Sequence, residues 1–162
     1  MTKYEQIITE LKNINKEQAE YMEEEIEIII HKLKYLPKDN FPTVAIFSQK
    51  NNFSIVYDSL LAEKVKLAGG ILAQNVEENP EIILIIQDDE SLYQTLPTYL
   101  SELKKQKTRA LIENKVFIIQ GGAFSVTDSN YLRDTEVLAE IIQPKYFVYG
   151  RNGEDWVKFE LY

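Results

Sequence analysis

From Thr2 onward the apolar residues fall on one side of a helical wheel. Thr2 followed by Glu5 has capping-box spacing, and Ile7, Ile8 and Leu11 share one side, which predicts a short helix through Asn13. Asn15 with Gln18 opens a second segment in the same way. There Ala19, Met22, Ile26, Ile29, Ile30 and Leu33 recur at three- and four-residue steps and predict a long amphipathic helix ending before Pro37. Glu20, Glu23, Glu24 and Glu27 fall on its outer side and read as a solvated face. His31, four residues after Glu27, reads as half of a solvent-facing ion pair rather than a metal ligand.

After Pro42 the period changes. Short apolar runs at Val44 to Phe47, Ile82 to Ile86 and Val116 to Ile119 are bounded by polar or turn residues, as buried strands of a parallel sheet are. Helical segments separate them. Ser54 is placed to cap a helix through Leu67, which carries Leu60, Leu61 and Val65 and ends at the Gly69-Gly70 C-cap. Pro97 marks the start of a helix over about 96–106 with Leu100 and Leu103 facing inward. A last helix is predicted over about 130–143, with Val137, Leu138, Ile141 and Ile142 buried. In the tail, Asn152-Gly153 sits between two strand-like segments, which predicts a terminal β-hairpin whose aromatic face covers the sheet or holds a ligand.

The expected fold class is therefore α/β: a three-layer α/β/α single lobe with a mostly parallel sheet, a long amphipathic N-terminal helix and a C-terminal β-hairpin. Residues 1–36 form the N-terminal helices, 37–147 the lobe and 148–162 the hairpin extension. A chain of 162 residues, 44% apolar, is long enough for one ordinary core.

Charge and chemistry narrow the function. The formal net charge of −8 repels phosphate backbones and anionic lipid, so nucleic acid is not an expected partner. No apolar run approaches the ~20 residues needed to cross a bilayer, and membrane insertion is not expected. Cysteine is absent, only one histidine is present, and neither a phosphate loop nor a nucleophile elbow occurs. No catalytic residue, metal ligand or intrinsic cofactor is assigned, and the chain does not read as an enzyme. Asp88-Asp89 is similar to the magnesium-binding acidic pair of phosphoreceiver domains. In receivers, however, that pair follows the first strand, whereas here the first strand leads into SQKNN, so the pair reads as a solvated turn capping the Ser91 helix.

From about Ile8 to Phe147 the chain resembles the second half of a class III periplasmic binding protein, the group that delivers cobalamin, haem and ferric siderophores to ABC importers. NINKEQAEYMEEEIEIIIHKLKYL resembles the end of the helix joining the two lobes. PTVAIFS resembles the first strand of the second lobe, and VYDSLLAEKVKLAGG its following helix. NPEIILI is similar to the family's Asn-Pro-Asp strand, ENKVFIIQGGAFS to its short strand and cleft loop, and YLRDTEVLAEIIQPKYF to its closing helix. The resemblance does not include the family's first lobe. A transporter-docking glutamate stands about seven residues before the Asn-Pro proline in that family; here the position is Ala73, with Glu77 and Glu78 nearby.

The resemblance implies a bound cobalamin, haem or ferric siderophore, a small-molecule metal complex carried without bond-making chemistry. A homodimer paired face to face would rebuild a cleft for that cargo; the alternative is a ligand-free interaction module with another protein as partner. Open α/β sheets bind ligands at the carboxyl ends of their strands, which makes Gln49, Asn52, Phe53, Gln87, Phe124, Tyr131 and Arg133 the candidate rim. Arg133 matches an arginine common at the start of the family's closing helix. It either pairs with an anionic group on a cargo or bonds a neighbouring acid such as Asp128. Phe124 and Tyr131 offer flat surface to a corrin, porphyrin or catecholate, or to a protein. The start MTKYEQ is no export signal. If Met1 is the native start the expected compartment is the cytoplasm; if the chain is a piece of a full-length binding protein, it is the periplasm or cell envelope.

Overall fold

A computed structural model of the chain describes every residue except Val126, Asp128 and Tyr162. The three predicted apolar runs form the centre of one sheet: β1 (Thr43–Ser48), β4 (Ile82–Ile86) and β5 (Val116–Ile119), paired in parallel in the order β1-β4-β5. Two two-residue strands cover the outer edge of β1. β3 (Ile71–Leu72) is parallel beside Thr43 and Val44, and β2 (Ser54–Ile55) is antiparallel beside Phe47 and Ser48. β6 (Trp156–Lys158) closes the opposite edge antiparallel to β5.

Both faces of the sheet are buried, which is why its strands read as unbroken apolar runs. Val44, Ile46, Ile82, Leu84 and Ile119 point to one side, against α2 (Lys16–Leu33), α3 (Ser59–Leu67) and α6 (Tyr131–Ile142). Ala45, Phe47, Ile83, Ile85, Val116 and Ile118 point to the other, against α4 (Leu92–Lys105) and the single turn α5 (Arg109–Ile112). The three-layer α/β/α lobe with a mostly parallel sheet is thus present.

At the N-terminus, α1 (Lys3–Ile14) has the capping box Thr2/Glu5. Its first N–H groups, those of Lys3 and Tyr4, donate to the Glu63 carboxylate of α3 at 3.1 and 2.8 Å, which ties α1 to the lobe at its positive end. Asn15 caps α2 through the Gln18 N–H, as its spacing predicts. Ile30, expected on the buried side of α2, is instead 47% exposed, and His31 is exposed with no Glu27 ion pair among the described residues.

Three local expectations are corrected. Ser54 caps no helix: Asn52 and Phe53 both adopt left-handed backbone, reversing the chain so that Ser54 runs back along β1, and Asp58 caps α3 through the Leu61 N–H at 2.7 Å. The helix expected from 96 begins at Leu92, with Pro97 inside it. Pro97 removes only the bond to the Tyr93 carbonyl, and the stripe Leu92, Leu96, Leu100 and Leu103 is buried on the sheet across it. Among the described residues the tail forms no hairpin of its own. The Tyr149, Gly150 and Arg151 N–H groups wrap the buried Glu140 carboxylate, and that turn delivers β6 to the edge of β5.

At the end of α3 the glycine pair behaves as predicted. Gly69 (φ +90°) donates to the Lys66 carbonyl and Gly70 to the Val65 carbonyl, a Schellman pattern. A Cβ on Gly69 would meet Gln143 at 2.7 Å, so the turn is also packed too closely for a larger residue.

Candidate functional site

The carboxyl ends of β1, β4 and β5 meet through the Gln49 side chain and the Gln87 backbone. Gln49 Oε1 accepts the N–H groups of Asp88 and Asp89 at 2.7 and 3.0 Å, and its Nε2 donates to Asp89 Oδ1 and Ser91 Oγ at 3.0 and 3.1 Å. Gln87 Nε2 donates to the Asp89 carbonyl at 3.1 Å, and its N–H bonds Ile119 of β5. Gly121, just past β5, lies close enough that a Cβ would stand 3.3 Å from the Gln87 carbonyl. The three strand exits form one tied edge. Asp89 also accepts from the Ser91 hydroxyl and N–H, and these bonds, the hydroxyl's first, hold its carboxyl below the usual range. The Asp88-Asp89 turn is exposed, as read from the sequence, but it does not cap α4: Asp89 bonds Ser91, the N-cap residue, and no side chain caps that helix among the described residues.

The aromatic rim residues do not join that edge. Phe53 lies flat on Tyr99 of α4, centroids 4.7 Å apart, and Asn52 is exposed beside it. Tyr131 is only 2% exposed, stacks on Tyr4 and donates its hydroxyl to Glu63 at 2.7 Å. It is a core residue, and the expectation that it offers open surface to a cargo is corrected. Phe124 is half-buried with the Lys64 ammonium 5.7 Å from its ring centre. Arg133 places a guanidinium nitrogen 3.6 Å from Asp134 Oδ1, so an acid on its own helix takes the neighbouring-acid role; Asp128 lies outside the described residues. Arg133 Nε is buried without a partner among the described residues.

The most unusual group was not singled out in the sequence. Lys64 and Asp134 have fully buried side chains and pair at 2.8 Å. The remaining Lys64 donors reach the carbonyls of Ser125 and Thr127 at 3.2 and 2.8 Å, and Asp134 Oδ1 accepts the Ser125 N–H at 3.2 Å. Burial pushes the Asp134 carboxyl up, against the opposing pull of Lys64, the Ser125 N–H and Arg133. The pair pins the loop that follows β5 onto α3 and α6. Its one sequence signal is a lysine lying between Leu61, Val65 and Ala68 on the apolar side of α3.

A larger hollow than any at that rim lies elsewhere among the described residues. A cavity of about 540 Å³ between α1, α2 and α3 is lined by Tyr4, Ile30, Leu33, Phe41 and Leu67, with Lys34 and Lys66 at its mouth. No candidate rim residue lines it. Tyr131 and Arg133 instead border a hollow of about 220 Å³ with Leu11, Tyr21 and Met22.

Burial also sets the response to high pH. Tyr4, Tyr99 and Tyr149 are each pushed up to about 12 by burial, and Tyr131 is held higher still. The folded state thus keeps protons that the unfolded chain, with tyrosines near 10, gives up. This stabilisation is fully present below pH 10 and is lost as pH rises towards about 12. Tyrosinate absorbance and circular dichroism, titrated together, are expected to show these tyrosines ionising only as the chain unfolds. Ionisation of all 10 tyrosines near pH 10 with native dichroism would contradict it.

No family model matches the sequence, and no curated protein matches it. Solved structures do. An ABC transporter substrate-binding protein from Listeria monocytogenes is 20% identical at a TM-score of 0.59, the match covering 85% of this chain and 64% of that one. An ABC transporter solute-binding protein from Sulfurospirillum deleyianum is 18% identical at 0.61, covering 90% of this chain and 52% of its own. A periplasmic haem-binding protein from Pseudomonas aeruginosa is 15% identical at 0.53, covering 88% and 61%. The chain spans between half and two thirds of the length of these proteins. At such identities the likeness shows the fold, and in fold the chain is one α/β lobe of the kind found in the substrate-binding proteins of ABC transporters.

Proposed function

We propose that the chain forms one wall of a solute-binding cleft, presenting the tied edge at the carboxyl ends of β1, β4 and β5 to a cobalamin, haem or ferric siderophore. The observation that carries this is the construction of that edge. Gln49 and the Gln87 N–H tie the three strand exits and the Lys64–Asp134 pair pins the following loop onto α3 and α6, on a chain that spans only part of its structural relatives. A preorganised wall loses little conformational entropy when a second wall closes over a ligand. Gln87 stands on that edge, Asn52, Phe124 and Arg133 are the further candidate contacts outside it, and Tyr131 belongs to the core. The reading requires no bond to be broken and no resident cofactor.

The facing wall is the remainder of a longer protein or a second copy. The position of the usual transporter-docking glutamate is Ala73, fully buried beside Val44, and of the two nearby candidates Glu78 accepts the Gln74 N–H while Glu77 is exposed. Among the described residues no helix is long and apolar enough to cross a membrane. A second reading, a protein interaction module, is favoured by one observation: Ile28 and Tyr35 stand exposed on and just beyond α2.

Thermal unfolding with haemin, cyanocobalamin and a ferric siderophore tests the first reading. Ligand at one hundred times its Kd adds about 2.7 kcal/mol, which for a chain of this size raises Tm by about 5–10 °C. An unchanged Tm with every one of these ligands would remove the cargo from the reading and leave the interaction module.

A further inference from the structure

We propose that two copies of this chain associate through α2, antiparallel and centred on Ile28. Tyr21 and Ile28, 59% and 47% exposed, lie seven residues apart on the side of α2 opposite the buried Ala19, Met22, Ile26, Ile29 and Leu33, and Tyr35, 83% exposed, follows at the same spacing in the turn just beyond the helix. Large apolar side chains repeated along one exposed stripe mark an association surface rather than isolated surface residues.

The charge pattern identifies the occupant. Acidic residues, Glu17, Glu20, Glu23, Glu24, Glu25 and Glu27, fill the first part of α2, and His31, Lys32 and Lys34 follow at its end. Glu24 and Lys32 lie four residues either side of Ile28, and Tyr21 and Tyr35 lie seven either side. A two-fold axis at Ile28 therefore sets Glu24 against Lys32 of the second copy and Tyr21 against its Tyr35, twice over. A parallel pairing would instead oppose Glu24 to Glu24. Beside the basic end, Val148 is 85% exposed and the Tyr146 carbonyl accepts from Lys32 at 3.1 Å, which widens the apolar surface there. A helix pair of this size falls at the low end of specific interfaces, below about 1,200 Å², so the dimer is weak, with a Kd on the order of micromolar.

Sedimentation velocity from about 1 to about 300 µM, with no cargo present, tests this independently of the cleft reading. The wild-type chain is expected to pass from monomer to dimer across that range. Ile28→Glu places two carboxylates on the axis and is expected to weaken association more than tenfold, with an unchanged Tm because Ile28 is half exposed. Glu24→Lys and Lys32→Glu are each expected to be monomeric, because each sets like charges together, whereas their equimolar mixture restores both opposite pairs and dimerises. A wild-type chain that stays monomeric throughout overturns the proposal and leaves the stripe to another partner. So does a dimer that survives Ile28→Glu, or a mixture of the charge variants that remains monomeric.

Discussion

Replacing Asp134 by alanine is expected to destabilise the chain by about 3–5 kcal/mol, since removing one member strands a fully buried ammonium. Both side chains of the pair are completely buried, and Lys64 spends its donors on Asp134 and on the Ser125 and Thr127 carbonyls. At about 2–4 °C per kcal/mol for this size, Tm should fall by about 6–20 °C. The double variant Lys64→Met, Asp134→Leu is expected to recover part of the loss, because apolar residues often replace a buried pair at little cost. Recovery stays incomplete, since the two carbonyls and the Ser125 N–H then lose their partners. Urea unfolding of the single and double variants measures the coupling. An Asp134→Ala cost below about 1 kcal/mol would mean that the pair does not hold the loop. Amide exchange at Thr127, whose N–H bonds Ser125 Oγ within the loop, gives a local reading: faster in the single variant if the loop beside the rim is released.

The same pair shows where sequence reading stops. The three central strands and α1, α2 and α6 were legible because each carries its own period: β1, β4 and β5 are continuous apolar runs, and the caps Thr2 and Asn15 stand at fixed offsets from their first turns. β2 and β3 are two residues long and hold no period to read. Partners far apart in sequence escaped as well. Lys64 meets Asp134 across 70 residues and Glu63 meets Tyr4 across 59, and no local pattern announces either.

The rim was half legible for a related reason. Topology places residues at the carboxyl ends of strands, and Gln49 and Gln87 are there. Whether a side chain at such a place is free for a ligand depends on what it already bonds. Gln49 is committed through both amide atoms and Tyr131 through its hydroxyl. The tail failed differently: Asn152-Gly153 is a sound hairpin signal, overridden by a carboxylate on the preceding helix that accepts several backbone N–H groups at once.

Replacing Glu140 by alanine is expected to release that tail at a cost of about 2–4 kcal/mol, read directly from the only tryptophan in the chain. Glu140 is buried and accepts the N–H groups of Tyr149, Gly150 and Arg151 and, at 2.7 Å, the indole N–H of Trp156. Four donors lose their acceptor together. If all stayed buried, the penalty at about 1–3 kcal/mol each would exceed what the tail contributes, so the segment should swing into water and limit the loss to its own docking. Docking includes Trp156 packed edge-on against Phe117, the three-residue ladder to β5, the Arg151–Glu136 pair at 2.8 Å and the bonds of Glu160 and Leu161 to Asn114. Release should red-shift Trp156 emission and speed amide exchange in β5, whose edge β6 covers, while the parallel ladder between β1 and β4 keeps its protection. Glu140→Gln keeps one carbonyl acceptor and should lie between alanine and the wild type. Unchanged emission and exchange in Glu140→Ala would show that the edge of β5 holds β6 without the carboxylate, and would make the hairpin signal, rather than Glu140, the determinant of the tail.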